Sequence, residues 1–423
     1  MALRECTPFD REALNALRRR VWWPERSRAS WCWLMRHPVR QERGDPLGWV
    51  ITREDQVRAC LGLMVETYVH QGARLFAATG HSLIVPPVMK GRSKALIETF
   101  LDVKGVFAHH TLNANARSSP IYGRFGMVPH PPQTHALKLS WCLDPLACAQ
   151  ARGYRAIARQ APRLAHALGE RLLGPRLHRP IHARMEPGVV FVSCESAAWQ
   201  RFWDGLQGSG RLMLDRSPAM MRWRMSDPDQ TTVPVLLGFV EDGELSAAAF
   251  AQVGKDDALS APVLEVLDLV ALSGAAVRGH SALIRALKRI GRALGAAKLR
   301  LPVVSPEVLD ALGPMADEAR VEGGWGHCHV RFAPGEEARW QGVWQPMGLD
   351  GDYVACLRPA PLRGKARAVQ DLAVADEKAP ERGALRGRIV QGFQEPAAGY
   401  QSLEPCFSRR AAPRMSPSEA PES

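Results

Sequence analysis

Several things are scarce in this chain. Its nine cysteines include no C-x-x-C pair, so neither a zinc-ribbon spacing nor a dithiol redox motif is present. An odd, scattered set in a chain of 423 residues reads as the reduced thiols of a cytosolic protein, not as a disulfide framework. There is no run of 18 apolar residues, and the stretch Pro262 to Leu272 is broken by Glu265 and Asp268, so no transmembrane helix is expected. The first residues, "MALRECTPFDREALNALRRR", carry acids early and lack an apolar core segment, so no signal peptide is expected. Lysine is scarce as well, nine against 46 arginines. That bias makes the net charge of +12 read as GC-rich coding more than as a selected patch. Zinc-finger spacing, an aromatic RNA-binding signature and a clear helix-turn-helix are all missing, so nucleic acid is not an expected partner. The charge still suits an anionic cofactor or lipid.

What is present is an ordinary globular composition, 46% apolar and 23% charged, in a chain long enough for two domains and a tail. "LGWVITREDQVRACLGLMVETYVHQGARLFAATG" reads as an antiparallel meander, with a charged break at Arg53 to Gln56. "HSLIVPP" continues as a strand that prolines end. In "KGRSKALIETFLDVKG", Leu96, Ile97, Phe100 and Leu101 recur at helical spacing behind Ser93. "VFAHHTLN" is a further strand, and "THALKLSWCL" is expected to close this first α+β domain near residue 144.

Residues 145–186 change character. Between Arg152 and Arg184 stand eight arginines and one acid, Glu170, which predicts a basic helical linker. Its charged face is also suited to an anionic membrane surface. Residues 187–358 repeat the order of the first domain. A hairpin turns at Glu241 to Gly243, "LEVLDLVAL" is a strand, "GHSALIRALKRIGRAL" an amphipathic helix and "KLRLPVV" a strand. "SPEVLDAL" is a helix with Ser305 as cap and Pro306 first. Residues 359–423 are rich in Pro, Ala, Gly, Ser and Arg and are expected to be largely disordered. "HCH" at His327 to His329 puts two imidazoles on one face if it is a strand. Further ligands stand at no recognisable spacing, so no metal is expected.

Two stretches carry chemistry. Around "LIVPPVMKGRSKALIETF" a strand, a loop and a helix start follow in order. A helix N-terminus favours an anion because its first N–H groups have no internal partners, and Lys90, Arg92 and Lys94 add charge there. "NANARSSPIYGRFG" is the second. Ser119 and Pro120 suit a helix cap and first position, and Gly126 suits its end. Ser118 and Tyr122 are four apart and Asn115 lies on the incoming loop. A tyrosine is protonated at neutral pH and can donate to a basic leaving group such as a thiolate.

The order of elements, with N-x-x-S-x-x-x-Y-x-x-x-G at Asn115, Ser118, Tyr122 and Gly126, resembles the GNAT acyl-CoA-dependent acyltransferases. In that family Gly-Phe follows the tyrosine; Met127 stands here for the Phe. The family's pyrophosphate loop, Arg/Gln-x-x-Gly-x-Gly/Ala, is followed loosely by Lys90-Gly91-Arg92-Ser93-Lys94-Ala95. "LDRSPAMMRWRMSDP" resembles a segment of tandem-GNAT proteins from bacterial surface-polysaccharide gene clusters. The resemblance implies two tandem mixed-sheet domains, the first catalytic and the second a degenerate copy without the Asn…Tyr pattern. It implies acetyl-CoA or another acyl-CoA as co-substrate and an amine as acceptor, such as an amino sugar. The donor would lie in the V between the strand ending at Val85 and the strand ending near Leu112, with its pyrophosphate at Lys90 to Ala95. The thioester carbonyl would meet backbone near Leu83 or Ile84, Tyr122 would protonate the thiolate, and His81 would be the base. His109, His110 and Glu66 are alternative bases. Two other readings fit the same residues: a non-catalytic scaffold of the same fold, and a relative of the tRNA-dependent aminoacyl transferases.

Overall fold

The hairpins form where the sequence places its turns. In the computed structural model, which describes residues 1–21, 23–173, 185–230, 232–322, 325–353 and 357, Glu54 and Asp55 both have positive φ. They join β2 (Gly48–Arg53) to β3 (Gln56–His70) in a two-residue turn whose twist matches that of the strands. Gln71 and Gly72 do the same between β3 and β4 (Ala73–Ile84). With β1 (Ala2–Glu5) and β5 (Ala108–Asn115) these strands make most of the first sheet. Helices α1 (Arg11–Arg20), α2 (Arg28–Met35) and α3 (Pro38–Arg43) precede the meander. Helix α4 (Ser93–Leu101) crosses from β4 to β5 and buries Leu96, Ile97 and Phe100, the positions its periodicity selects.

Helix α5 (Ser119–Arg124) and the short β6 (Val128–Pro129) follow. The next strand, β7 (Lys138–Cys142), forms where the apolar pattern predicts but does not close the first sheet. It lies in the second sheet, antiparallel to β13 (Lys298–Leu301) and β14 (Arg320–Glu322). In return β15 (Trp325–Phe332) crosses over and pairs with β5 and β6. Lys138, Leu139, Ser140 and Trp141 are all buried, and Leu139 pairs with Leu301 of β13 on one side and Val321 of β14 on the other. Alternation along a strand does not say which sheet it joins.

Helices α6 (Pro145–Ile157) and α7 (Pro162–Leu172) form the described part of the basic linker; residues 174–184 and the tail beyond 357 lie outside the described residues. The second sheet continues with β8 (Val189–Phe191), β10 (Val235–Glu241), β11 (Glu244–Gly254) and β12 (Val263–Ala271). The small strand β9 (Met213–Leu214) joins β3 instead. The helices of this half are α8 (Ala197–Gln207), α9 (Pro218–Met225), α10 (Ala276–Leu294), α11 (Pro306–Leu312), α12 (Pro314–Asp317) and α13 (Glu337–Trp340). The Ser305 hydroxyl caps α11 by accepting from Val308 N, as its sequence predicts. The fold is thus α+β, with two mixed sheets flanked by helices. Among the described residues no helix is long and apolar enough to cross a membrane.

Several charged groups inside this core are paired. Every residue of β12 is buried, including the Glu265 and Asp268 that break its apolar run. Asp268 takes a two-pronged pair from Arg216 at 2.7 Å, and Glu265 pairs with Arg300, which also holds Asp256. Between the halves, Glu66 of β3 is fully buried against Arg224 of α9 at 3.0 Å and His37 at 3.3 Å. Burial opposes its ionisation, but Arg224 and then His37 outweigh it and hold the carboxyl below the usual range. Beside this group Trp33 and Trp223 stack at 4.3 Å and exchange two indole-to-carbonyl hydrogen bonds of 2.8 and 3.1 Å.

Candidate functional site

β4 and β5 run parallel, and their pairing is confined to Ala77–Ala108, Ala78–His109 and Thr79–His110. Beyond those pairs each strand continues, β4 to Ile84 and β5 to Asn115, and the two part. The parting is helped by a bulge. Cys60 of β3 faces Ile84 and Gly62 faces His81, so Ser82 and Leu83 together oppose Leu61, and Ser82 has φ of 53°. Gly62 is needed here, because a Cβ on it would fall within 2.3–2.7 Å of the His81 ring.

A cleft of about 330 Å³ opens at the parting, within the range of small-molecule sites. One wall is Gly80 to Leu83 of β4, and another is Thr111 and Asn113 to Asn115 of β5, continued by Ser118 and Tyr122. Tyr122 is 4% exposed on α5. That helix starts one residue earlier than its sequence suggests, with Ser118 at the cap and Ser119 first. The reason is a local turn: Asn115 Oδ1 accepts from Arg117 N and Ser118 N, and Ser118 Oγ accepts from Asn115 N at 2.9 Å. Gly126, at φ of 76°, ends the element as predicted.

The structure therefore brings together Tyr122, His81, Leu83, Asn115 and Ser118. Ile84 and Val85 do not line the cleft; Ile84 is buried in the core. Lys90, Gly91, Arg92 and Lys94 are exposed, with Ser93 and Ala95 half-buried, and none of the six lines the cleft. They lie just before and at the start of α4, whose first turn has no side-chain cap and no acid.

Burial pushes the His81 imidazole down to about 3, and Arg26, Arg18 and Arg40 push it the same way. Its Nδ1 lies 3.1 Å from Ser82 Oγ. The other candidate bases face elsewhere. His109 meets the Val103 carbonyl at 3.2 Å and the edge of Phe100, His110 meets the Asp350 carbonyl at 2.8 Å, and Glu66 is enclosed with Arg224. His327 and His329 do share a face of β15, where both contact Ser119 Oγ, at 3.4 and 3.1 Å. Among the described residues no group of three or more His, Cys, Asp or Glu is placed to hold a metal.

The second half supplies the far wall, which residue spacing gives no means of finding. Lys255, Asp256 and Asp257 follow β11, Arg155 comes from the linker helix α6, and Asp352 and Tyr353 come from the end of the described chain. Burial opposes ionisation of Asp256, but Arg300 outweighs it and holds the carboxyl below the usual range. Lys255 Nζ donates to the Ala258 carbonyl at 3.0 Å and is buried, and Tyr353 Oη donates to the Leu112 carbonyl of β5 at 3.3 Å. The charged triplet at 255–257, set between two apolar strands, was the one available signal.

No family model matches the chain, and no curated protein matches it. Solved structures are similar to it in the course of the backbone. A GCN5-related N-acetyltransferase from Kribbella flavida is 16% identical with a TM-score of 0.43, covering 78% of this chain and 71% of its own. A putative acetyltransferase from Pyrococcus horikoshii is 14% identical with a TM-score of 0.44, covering 82% and 92%. Saccharomyces cerevisiae N-myristoyltransferase with bound myristoyl-CoA is 9% identical with a TM-score of 0.49, covering 78% of each.

Proposed function

We propose that this chain is an acyl-CoA-dependent N-acyltransferase whose donor and acceptor meet in the cleft between β4 and β5. The observation that carries the reading is the parting of two parallel strands after three residue pairs, with a bulge on one arm and a buried tyrosine at the cleft. Such a gap exposes backbone amide groups that a continuous ladder would consume, and a thioester's pantetheine arm presents matching amides. The uncapped first turn of α4 and its neighbours Lys90, Arg92 and Lys94 suit the diphosphate of the cofactor.

In the reaction the acceptor nitrogen attacks the thioester carbonyl carbon, forming C–N as C–S breaks. Tyr122 gives its phenolic proton to the leaving thiolate and regains one from solvent. The nitrogen's own proton leaves through the cleft. With its pKa near 3, His81 is neutral at pH 7 but cannot retain a proton taken from an amine, so it acts in this reading by holding the bulge. An amino sugar fits between the two walls, its nitrogen received as ammonium by Asp257 and Asp352 and giving one proton to solvent before the neutral amine attacks, and its hydroxyls facing Thr111 and Asn113 of β5.

Tyr122→Phe should lower turnover at least tenfold, read as release of free CoA thiol with a panel of amines, and leave CoA affinity within twofold. Unimpaired turnover in that variant removes the general-acid role.

A further inference from the structure

His81 and Ser82 line a second cavity as well as the cleft. It encloses about 30 Å³, room for roughly two water molecules. Leu14, Leu34, Val50, Leu61 and Met64 make it mainly apolar. Its polar groups are almost all nitrogen, from Arg18, Trp31, His37, Arg40 and His81, and no carboxylate stands among the described residues that line it. Trp31 is 3% exposed and its Nε1–H is buried without a hydrogen-bond partner, as is the Nε–H of Arg40. A buried donor left unmade destabilises the fold unless a water or ligand accepts from it.

The nearby acids are already engaged. Asp10 is held by Arg4, Asp45 by Arg43, and Glu66 by Arg224. Arg40 donates its terminal nitrogens to the backbone carbonyls of Asp45, Pro46 and Leu63, which satisfy geometry but do not neutralise charge. Arg18 and Arg40 both line this space, whereas Arg26, which also depresses His81, is paired with Asp227.

We propose that this cavity receives the end of a short acyl group carrying a terminal carboxylate, of the malonyl or succinyl class. The inference rests on the acyl-CoA reading of the cleft and names its acyl group. A thioester carbonyl at the bulge directs whatever follows it past His81 and Ser82. One or two methylenes span from the carbonyl to the cavity mouth, and the carboxylate alone enters and accepts from Trp31 Nε1–H and Arg40 Nε–H. An acetyl group is too short to arrive there. A neutral chain of equal length fills the space but leaves the donors unmade.

The test is calorimetric titration of the full chain with CoA, acetyl-CoA, butyryl-CoA and succinyl-CoA, and with free succinate. Succinyl-CoA should bind at least tenfold more tightly than butyryl-CoA, which matches it in length but has no charge. In Trp31→Phe that advantage should shrink several-fold while CoA affinity stays the same. Equal affinity for succinyl-CoA and butyryl-CoA, with CoA itself bound, overturns this inference and leaves the acyl-CoA reading standing. Free succinate binding without a succinyl-CoA advantage also overturns it, because the carboxylate would then come from another molecule. No binding of CoA in any form overturns the underlying reading. The comparison of ligands needs no variant, so it holds whether or not Trp31→Phe folds.

Discussion

The two halves build the same parting of strands and use it differently. In the first, β4 and β5 pair at three positions and diverge into an open cleft. In the second, β12 and β13 also pair in parallel at three positions, Val263–Lys298 to Glu265–Arg300, and β12 also bulges, at Leu267. Here the gap is filled. The segment Met347 to Asp350 lies in it, close enough that a Cβ on Gly348 would sit 3.2 Å from Pro302 Cγ and 3.3 Å from Leu267 Cα. What is left is about 20 Å³, lined in part by His280, whose two ring nitrogens are buried without partners. The chain then runs on from the plug to the first cleft, where Gly351 packs on Leu112 and Asp352 and Tyr353 join the wall. A duplicated geometry has been closed in one copy, and the closing segment helps shape the other.

That arrangement holds only if the halves are one cooperative unit. The largest expected effect comes from the buried Glu66–Arg224 pair that joins β3 to α9. Arg224→Met strands the carboxylate and should cost about 3–5 kcal/mol in denaturant unfolding. Separate transitions for the two halves in the wild type would break the comparison at its base.

A smaller effect tests the plug. Gly348→Val places extra atoms against backbone and should cost about 1–3 kcal/mol. CoA affinity should stay within twofold, since the proposed site lies in the first gap. A large loss of CoA affinity at unchanged stability would show that the plugged gap is a site after all.

Much of this was legible before the fold. The hairpins at 54–55 and 242–243, α4, the Ser305 cap and the short helix carrying Tyr122 all follow from local spacing and turn chemistry. Local signals cannot report sheet membership, so the exchange of β7 for β15 stayed hidden although β7 was recognisable as a strand. The cleft shows the same division. Tyr122, His81 and Leu83 were within reach of a motif, whereas Lys255, Asp257 and Asp352 arrive from more than a hundred residues away. Nor does the sequence show that His81 would be enclosed and set beside three arginines, which with burial push its imidazole down.

The most direct test of the central claim is the stoichiometry of CoA binding to the intact chain by calorimetry. One molecule of CoA per chain is expected, bound in the open gap between β4 and β5. Two molecules per chain, or none, would contradict it.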